Sequence, residues 1–135
     1  MQVQPNVVEE RSSITRHNTN VSDNTTKRPS SKPVLVLDLD NTLVCASFHP
    51  LYYSEVTLKL PVTKNTEHLR EDKNLKHIPL ELALRRGVRE GIKKLSQCYS
   101  VYVWTASIPE YARCILNYLD VWKHIEKLYT KESCT

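Results

Sequence analysis

The feature that most constrains the fold is a short apolar run that ends abruptly in paired carboxylates. Residues 34–37 read VLVL without interruption, and the segment DLDNT follows at 38–42. Runs of this kind are typical of strands buried on both faces, as in parallel sheets. Open α/β sheets place their ligands at the carboxyl ends of such strands. We therefore expect a parallel sheet with a functional site directly after Leu37.

Alternating apolar and polar residues follow this run. The alternation extends over 56–61 and again over 78–84, and the polar stretch 63–76 separates the two segments. This pattern predicts two half-buried strands of a small antiparallel β flap, inserted at about residues 48–84. Pro61 and Pro79 favour edge positions, because proline cannot donate a hydrogen bond to a neighbouring strand.

Helix and strand patterns then alternate. Residues 88–95 have helical spacing of apolar side chains, residues 99–104 suit a second buried strand, and residues 108–119 suit a second helix. Ser107 and Glu110 form a capping-box pattern where that helix begins. A helical crossover between two core strands predicts that they are parallel, so the expected architecture is a doubly wound α/β fold.

Composition excludes several classes of function. The 135 residues suit about one domain, with a disordered polar tail over 1–32 and the domain over 33–135. The net charge of +4 is too small and too scattered to indicate nucleic-acid binding. The sequence shows no membrane-spanning stretch, no signal-peptide core and no metal-binding cysteine spacing. We therefore expect an intracellular protein that binds neither a membrane nor nucleic acid.

Asp38 and Asp40 carry the chemistry that the residues suggest. One carboxylate can attack phosphorus and form an aspartyl phosphate, while the other gives a proton to the leaving oxygen and takes one from water. Adjacent carboxylates also attract a hard cation such as Mg²⁺, so both are candidate metal ligands. The alternative for an isolated D-x-D pair is a solvated turn or a helix cap. The preceding VLVL and the following NTLV favour catalysis over that alternative.

The chain resembles a known family of phosphatases. Residues 34–44 and 101–111 resemble the first two motifs of the haloacid dehalogenase superfamily. Within it, the chain is most similar to the FCP-homology phosphatases, which include the small phosphatases of the RNA polymerase II C-terminal domain. The segments that carry the resemblance are DLDNTLVCASFHP, LRRGVREGIKKL, VYVWTASIPEYAR and LYTKESC. The resemblance implies the N-terminal half of that domain, an incomplete haloacid-dehalogenase-like doubly wound sheet with a flap insertion.

The resemblance implies three catalytic roles. Asp38 is similar to the nucleophile and metal ligand of the family. Asp40 is similar to the general acid/base, and its backbone carbonyl would also bind Mg²⁺. Thr105 is similar to the hydroxyl that holds the phosphate.

The resemblance also implies a substrate-binding set. Phe48, Ile108 and Tyr111 match positions that line a hydrophobic substrate pocket. Core packing is an equal alternative for Ile108 and Tyr111, whereas Phe48 is more suited to a pocket. Lys131 stands where relatives have an arginine that contacts substrate phosphate. Lysine keeps the charge but lacks the bidentate fork, so we expect a weaker grip on phosphate.

The implied activity is that of a Mg²⁺-dependent phosphoprotein serine/threonine phosphatase in the nucleus or cytoplasm, with the RNA polymerase II C-terminal domain as one candidate substrate. The family's later lysine and acidic metal ligands would follow Thr135, so we expect this chain to be weak or inactive. The main alternative is a non-catalytic remnant that binds phosphopeptides or a partner. A non-enzymatic scaffold is less favoured, because the D-x-D-x-T pattern at 38–42 is intact and the sequence shows no membrane-spanning stretch. A small-metabolite phosphatase is less favoured, because the SFHP and TASIPEYA segments match protein phosphatases. The sequence leaves the oligomeric state open.

Overall fold

The computed structural model describes residues 31–133, so the tail predicted over 1–32 lies almost wholly outside the described residues. The elements are β1 (Val34–Leu37), β2 (Val44–Ser47), β3 (Val56–Pro61), β4 (His77–Leu84), α1 (Val88–Cys98), β5 (Ser100–Trp104), α2 (Pro109–Leu119) and β6 (Lys127–Tyr129). Short 3₁₀ turns occur at Glu67–Leu69, Trp122–His124 and Lys131–Ser133. No helix within 31–133 is long and apolar enough to cross a membrane.

The first sheet is parallel, as the sequence predicts. Strand β5 lies in the middle and pairs in parallel with β1 on one side and with β6 on the other. Leu37 lies opposite Val103, which in turn lies opposite Leu128. This register places the carboxyl ends of the three strands at one edge of the sheet.

Strand β1 is less buried than the sequence predicts. Val34 and Val36 are 62% and 51% exposed, and Trp104 on the same face of β5 is 48% exposed. Leu37, on the opposite face, packs against the buried core that contains Val103. The expectation of burial on both faces is therefore wrong for β1, because the core forms on only one face of the described sheet.

The second sheet is antiparallel, and β4 lies between β2 and β3. The β3–β4 pair confirms the predicted flap strands. Strand β2 was not predicted, because a four-residue strand is too short to show a period. Pro79 lies in the central strand, yet β2 pairs only with residues 81–84, so Pro79 has a strand neighbour on the β3 side alone. Proline is thus tolerated there as it is at a sheet edge.

One apolar core joins the two sheets and both helices. Fully buried members come from the turn after β1 (Leu39), from β4 (Leu82), from β5 (Val103), from α1 (Ile92) and from α2 (Leu116). Helix α2 also packs against β3. The core therefore holds the flap close to the carboxyl edge of the parallel sheet.

Helix α2 begins without the predicted capping box. Its N-cap is Ile108, which makes no side-chain cap hydrogen bond, and Pro109 occupies the first turn. Ser107 Oγ lies instead 2.8 Å from Thr105 Oγ1. The Glu110 carboxylate accepts hydrogen bonds from Thr63 and Asn65 of the flap loop. The prediction was wrong because the Ser107 hydroxyl bonds to its near neighbour Thr105 and the Glu110 carboxylate bonds to the distant flap loop.

Candidate active site

The carboxyl ends of the parallel strands bring three predicted site residues to one edge. Asp38 follows β1 directly, Thr105 follows β5 directly, and Lys131 lies two residues after β6. Backbone hydrogen bonds fix this edge, since Thr105 N donates to Tyr129 O at 2.9 Å and Lys131 N donates to Ser107 O at 2.9 Å. Segments that are distant in the sequence thus meet where open α/β sheets hold their ligands.

A tight turn after β1 sets the direction of the chain. The Leu39 side chain is fully buried, and its carbonyl oxygen accepts hydrogen bonds from Leu43 N at 2.9 Å and Val44 N at 3.3 Å. Asn41 has a φ of 58°, in the left-handed region that asparagine tolerates better than most residues. Arg85, just after β4, donates its backbone N–H to Leu43 O at 2.9 Å. The turn is therefore held both by its own backbone and by the flap.

The turn presents its two carboxylates differently. Asp38 is exposed, and its Oδ2 accepts a hydrogen bond from Thr42 Oγ1 at 3.1 Å. Within the part of the chain that the structure describes, no hydrogen bond reaches Asp38 Oδ1. Asp40 is half-buried. Asp38 is thus free to meet an incoming ligand, while Asp40 faces the protein.

Two hydroxyl groups hold the Asp40 carboxylate. Tyr111 Oη donates to Asp40 Oδ1 at 2.5 Å, and Thr105 Oγ1 lies 3.4 Å from Asp40 Oδ2. Burial of the Tyr111 ring raises the pKa of its hydroxyl above the ordinary value, and the hydrogen bond to Asp40 and that carboxylate's charge raise it further. Tyr111 therefore stays protonated and acts as a hydrogen-bond donor to Asp40.

Thr105 is the centre of a small hydroxyl network. It is only 2% exposed, and its Oγ1 accepts a hydrogen bond from Ser107 N at 3.2 Å. A hydroxyl group has one proton to donate. If the Thr105 hydroxyl donates its hydrogen bond to Asp40, then the Ser107 hydroxyl is the donor in the 2.8 Å contact between Ser107 Oγ and Thr105 Oγ1. Sequence reasoning missed this role of Ser107, which it assigned to helix capping.

A cavity of about 360 Å³ opens beside Asp40. Its lining residues are Asp40, Phe48, His68, Leu69, Ser107, Ile108, Tyr111 and Lys131. The Phe48 and Tyr111 rings lie 6.2 Å apart, centroid to centroid, and form its aromatic wall. Tyr111 also packs against the core, so its side chain both lines the cavity and contributes to core packing. The four residues of the substrate-binding set predicted from the sequence therefore line one cavity.

Asp38 and Thr105 do not line this cavity. Thr105 is linked to it through its contact with Asp40, and Asp38 precedes Asp40 by two residues. His68 and Leu69 do line it, although sequence reasoning left them in an unassigned polar loop. No periodic pattern or motif in that loop could have identified them.

The flap loop that carries His68 is fastened to α2. Glu110 Oε1 accepts hydrogen bonds from Thr63 Oγ1 at 3.0 Å and from Asn65 Nδ2 at 3.1 Å. Thr66 is fully buried and donates to Pro61 O at 2.8 Å. A hydrogen bond from its own backbone lowers the pKa of the Glu110 carboxyl, and those from the loop lower it further. These contacts hold the loop next to the cavity.

The described residues offer a partial ligand set for a divalent cation. Asp38 has a carboxylate oxygen available, whereas both carboxylate oxygens of Asp40 face hydroxyl groups, so the Asp40 donor to a metal would be its backbone carbonyl. Oxygen donors of this kind suit Mg²⁺, which usually keeps several water ligands. Within residues 31–133, no group of three or more His, Cys, Asp or Glu side chains comes together to hold a metal.

Comparison with known proteins gives consistent matches. The family model "NLI interacting factor-like phosphatase" matches residues 33–135. Phosphatase PSR1 of Saccharomyces cerevisiae is 30% identical over 103 residues, which are 76% of this chain and 22% of that protein. A probable C-terminal domain small phosphatase of Dictyostelium discoideum is 29% identical over 100 residues, which are 74% of this chain and 29% of that protein. The chain thus spans less than a third of the length of these relatives.

A solved structure shares the fold. The fission yeast RNA polymerase II CTD phosphatase Fcp1, bound to beryllium fluoride, superposes with a TM-score of 0.58 and 14% identity, over 92% of this chain and 34% of that chain. This similarity confirms the predicted haloacid-dehalogenase-like α/β fold in incomplete form. Because the family model covers most of the chain, the protein belongs to the NLI interacting factor-like phosphatases.

Proposed function

We propose that this domain removes phosphate from phosphoserine or phosphothreonine in proteins, through an aspartyl phosphate on Asp38. The observation that carries the proposal is the Asp40 carboxylate, which Tyr111 and Thr105 hold beside a partly apolar cavity. Phosphoryl transfer to a carboxylate needs a nucleophile next to a proton donor, and Asp38 and Asp40 are suited to these two roles.

In the first step, a carboxylate oxygen of Asp38 bonds to phosphorus. The bond between phosphorus and the serine or threonine oxygen breaks, and Asp40 gives its proton to that leaving oxygen. The exposure of Asp38 supports its role, because the nucleophile must be reachable by a protein substrate. The contact between Thr105 Oγ1 and Asp40 Oδ2 is long for a hydrogen bond, at 3.4 Å. The Thr105 hydroxyl would therefore turn away from Asp40 and donate to a phosphoryl oxygen.

In the second step, water attacks phosphorus and Asp40 accepts a proton from it. The bond between phosphorus and Asp38 breaks, so phosphate leaves, Asp38 is free again and Asp40 is protonated for the next cycle. The Tyr111 hydroxyl fixes the direction of Asp40 in both steps, which positions its proton for transfer.

Asp38 and the Asp40 carbonyl would hold Mg²⁺ in this site. When bound there, the ion would neutralise phosphate charge during transfer. Two protein donors form a sparse ligand set, so we expect weak Mg²⁺ binding by the residues described here.

The substrate is a phosphoprotein segment with an apolar residue near the phosphate. Phe48, Ile108 and Tyr111 suit the apolar residue, and Lys131 suits the phosphate or a nearby anion. One structural relative is a phosphatase of the RNA polymerase II CTD, which makes that domain a candidate substrate here. A location in the nucleus or cytoplasm is part of this proposal.

A second candidate function is phosphopeptide binding without turnover. The sparse donor set at Asp38 and Asp40 favours it, because a poorly held cation slows phosphoryl transfer more than it weakens peptide binding. The same cavity would then hold a phosphopeptide without cleaving it.

Phosphate release in the presence and absence of Mg²⁺ tests the proposal. The substrates are an aryl phosphate and a phosphoserine-proline peptide. The variant Asp38→Asn is compared with the control Asp120→Asn, which makes the same change at an exposed carboxylate after α2. We expect Mg²⁺-dependent release that Asp38→Asn abolishes and Asp120→Asn preserves. Binding of the peptide without release would favour the second candidate. If the peptide is neither cleaved nor bound, both candidate functions are contradicted.

A further inference from the structure

A second cavity adjoins the first and extends the groove away from Asp40. It encloses about 70 Å³ and shares Phe48 and Leu69 with the cavity beside Asp40. Its remaining wall includes Leu75, Ile78 and Arg70, which belong to the flap and its loop. One groove therefore leads from Asp40, past Phe48 and Leu69, to Arg70.

Arg70 has unused hydrogen-bonding capacity. Its side chain is 17% exposed. Nη1 donates to Leu75 O at 3.3 Å, and Nη2 donates to Glu67 Oε1 at 3.4 Å. Its Nε is buried and has no hydrogen-bond partner among the described residues. A buried donor of this kind is stabilised by any acceptor that reaches it.

The geometry of the guanidinium group indicates the kind of acceptor. Arginine binds a carboxylate or phosphate through two parallel N–H groups, and Nε with Nη2 forms one such edge. The competing carboxylate, Glu67, is 65% exposed and is bonded at a long distance, so a ligand anion can replace it. Apolar walls beside the charge favour a ligand in which an anionic group lies next to an apolar side chain.

Each of the two cavities carries one cation. Lys131 lines the cavity beside Asp40, and Arg70 lines the second cavity. The opposing carboxylates are Asp40, held by two hydroxyls, Glu71, which is exposed, and Glu67, which contacts Arg70. A peptide that brings a phosphate to one end of the groove therefore meets a second cation at the other end.

We propose that Arg70 forms a second anion-binding subsite, which selects phosphopeptides that carry a further oxyanion beside an apolar residue. The oxyanion is the carboxylate of Asp or Glu or a second phosphate. This inference rests on the proposed function of the Asp38 site, because the two subsites share one groove.

Peptide binding to the Asp38→Asn variant tests the subsite without turnover. The probes are phosphoserine peptides in which one Glu moves position by position through a neutral sequence, each paired with a peptide that has Gln at the same position. We expect one position at which Glu strengthens binding roughly tenfold over Gln, as a hydrogen-bonded charge pair does. A second phosphoserine at that position distinguishes carboxylate from phosphate as the preferred anion.

Substitutions on the protein assign the effect to Arg70. In the Asp38→Asn background, Arg70→Gln should remove the preference for Glu and Arg70→Lys should keep only part of it, because lysine lacks the Nε edge. Arg86→Gln removes the same charge from an exposed site outside the groove and should leave the preference intact.

The outcomes separate the two proposals. Equal binding of Glu and Gln peptides at every position overturns the Arg70 subsite and leaves the proposed function standing. No binding of any phosphopeptide overturns both. If thermal unfolding shows that Arg70→Gln does not fold, the paired peptides still decide the question, since they require no change at Arg70.

Discussion

Asp40 is the residue whose surroundings say most about the chemistry of the site. Each oxygen of its carboxylate accepts a hydrogen bond, one from Tyr111 and the other from Thr105. Hydroxyl groups fixed by packing restrict the directions in which such a carboxylate can present a proton. The contribution of Tyr111 to catalysis should therefore depend on how much the leaving oxygen needs that proton.

Replacing Tyr111 by Phe tests this dependence. The variant keeps the ring against Phe48 and loses only the hydroxyl. We expect kcat for a phosphoserine peptide to fall roughly tenfold to a hundredfold, a part of the usual contribution of general acid catalysis. For nitrophenyl phosphate, whose leaving group needs no proton, we expect a smaller loss, because only the second step, in which Asp40 acts as the base, depends on Tyr111 there.

Tyr118→Phe is the matched control for that substitution. Tyr118 lies on the same helix, and its ring contacts the guanidinium of Arg89 rather than Asp40. Both substrates should be cleaved by this variant as by the unmodified chain. Equal losses for the two substrates in Tyr111→Phe would show that the hydroxyl does not position the acid.

Lys131→Arg tests whether residue 131 contributes to substrate binding. Lys131 is exposed at the rim of the cavity, and its backbone N–H is fixed to Ser107 O. Arginine adds a bidentate fork for phosphate, so we expect KM for the phosphopeptide to fall a few-fold while kcat changes little. Lys131→Gln should raise KM. If steady-state kinetics give the same KM for all three side chains, Lys131 does not contact substrate.

Among the structural elements, the flap loop determines which groups surround the cavity. The loop reaches α2 through Thr63 and Asn65, which both donate to Glu110. A hydrogen bond from the backbone N–H of Glu110 and those from the loop lower the pKa of this carboxyl below its ordinary value of 4.5. A lowered folded-state pKa means that the ionised carboxylate stabilises the fold above the unfolded pKa.

Glu110→Gln should therefore change the pH dependence of stability. The unmodified chain should be more stable than the variant above about pH 4.5, and the difference should vanish as pH falls below that value through the lowered pKa. Thermal unfolding of both proteins across this range measures the difference. Glu126→Gln, at an exposed carboxylate outside the loop contact, is the control. A stability difference that persists at acid pH would show that packing, not charge, fastens the loop.

For the molecule as a whole, the uncovered face of the parallel sheet matters most. Val34, Val36 and Trp104 are exposed on that face, and among the described residues β1 has a strand neighbour on one side only. Exposed apolar strands with a free edge tend to pair with other chains. We expect the 135-residue chain to associate as its concentration rises.

Val36→Lys should reduce this association. A lysine on an exposed edge strand opposes pairing while it leaves the buried face, with Leu37, unchanged. Gln97→Lys, an exposed change on α1 that adds the same charge, is the control. Sedimentation velocity over a range of concentrations should show less association for Val36→Lys alone. Equal association of all three proteins would exclude this face as the contact surface.

Periodicity predicted the parts of the fold that bury one clear face. The β3–β4 pair and the helices Val88–Cys98 and Pro109–Leu119 have clear periods, and all are present, whereas the strand at Val34 was predicted from its continuous apolar run. The four-residue β2 has no detectable period, and the exposure of Val36 depends on which elements cover the sheet. Neither property is contained in a local pattern.

The placement of some site residues could be predicted from the sequence, and contacts between side chains could not. Asp38 was predicted from its position at the end of a strand and Thr105 from the resemblance of residues 101–111 to a family motif, and each directly follows a strand. Ser107 was assigned to a helix cap, yet it bonds to Thr105. Arg70 lies in a loop without a pattern, and only folding places its guanidinium in the groove.

The most direct test of the central claim is detection of the phosphoryl group on Asp38. The chain is mixed with excess phosphoserine peptide and Mg²⁺, quenched in acid within the first turnover, and analysed by peptide mass spectrometry with and without hydroxylamine, which cleaves acyl phosphates. We predict a hydroxylamine-sensitive phosphate on the peptide that contains Asp38, and none in Asp38→Asn. Phosphate released without any modification of that peptide, or undiminished release by Asp38→Asn, would contradict the account.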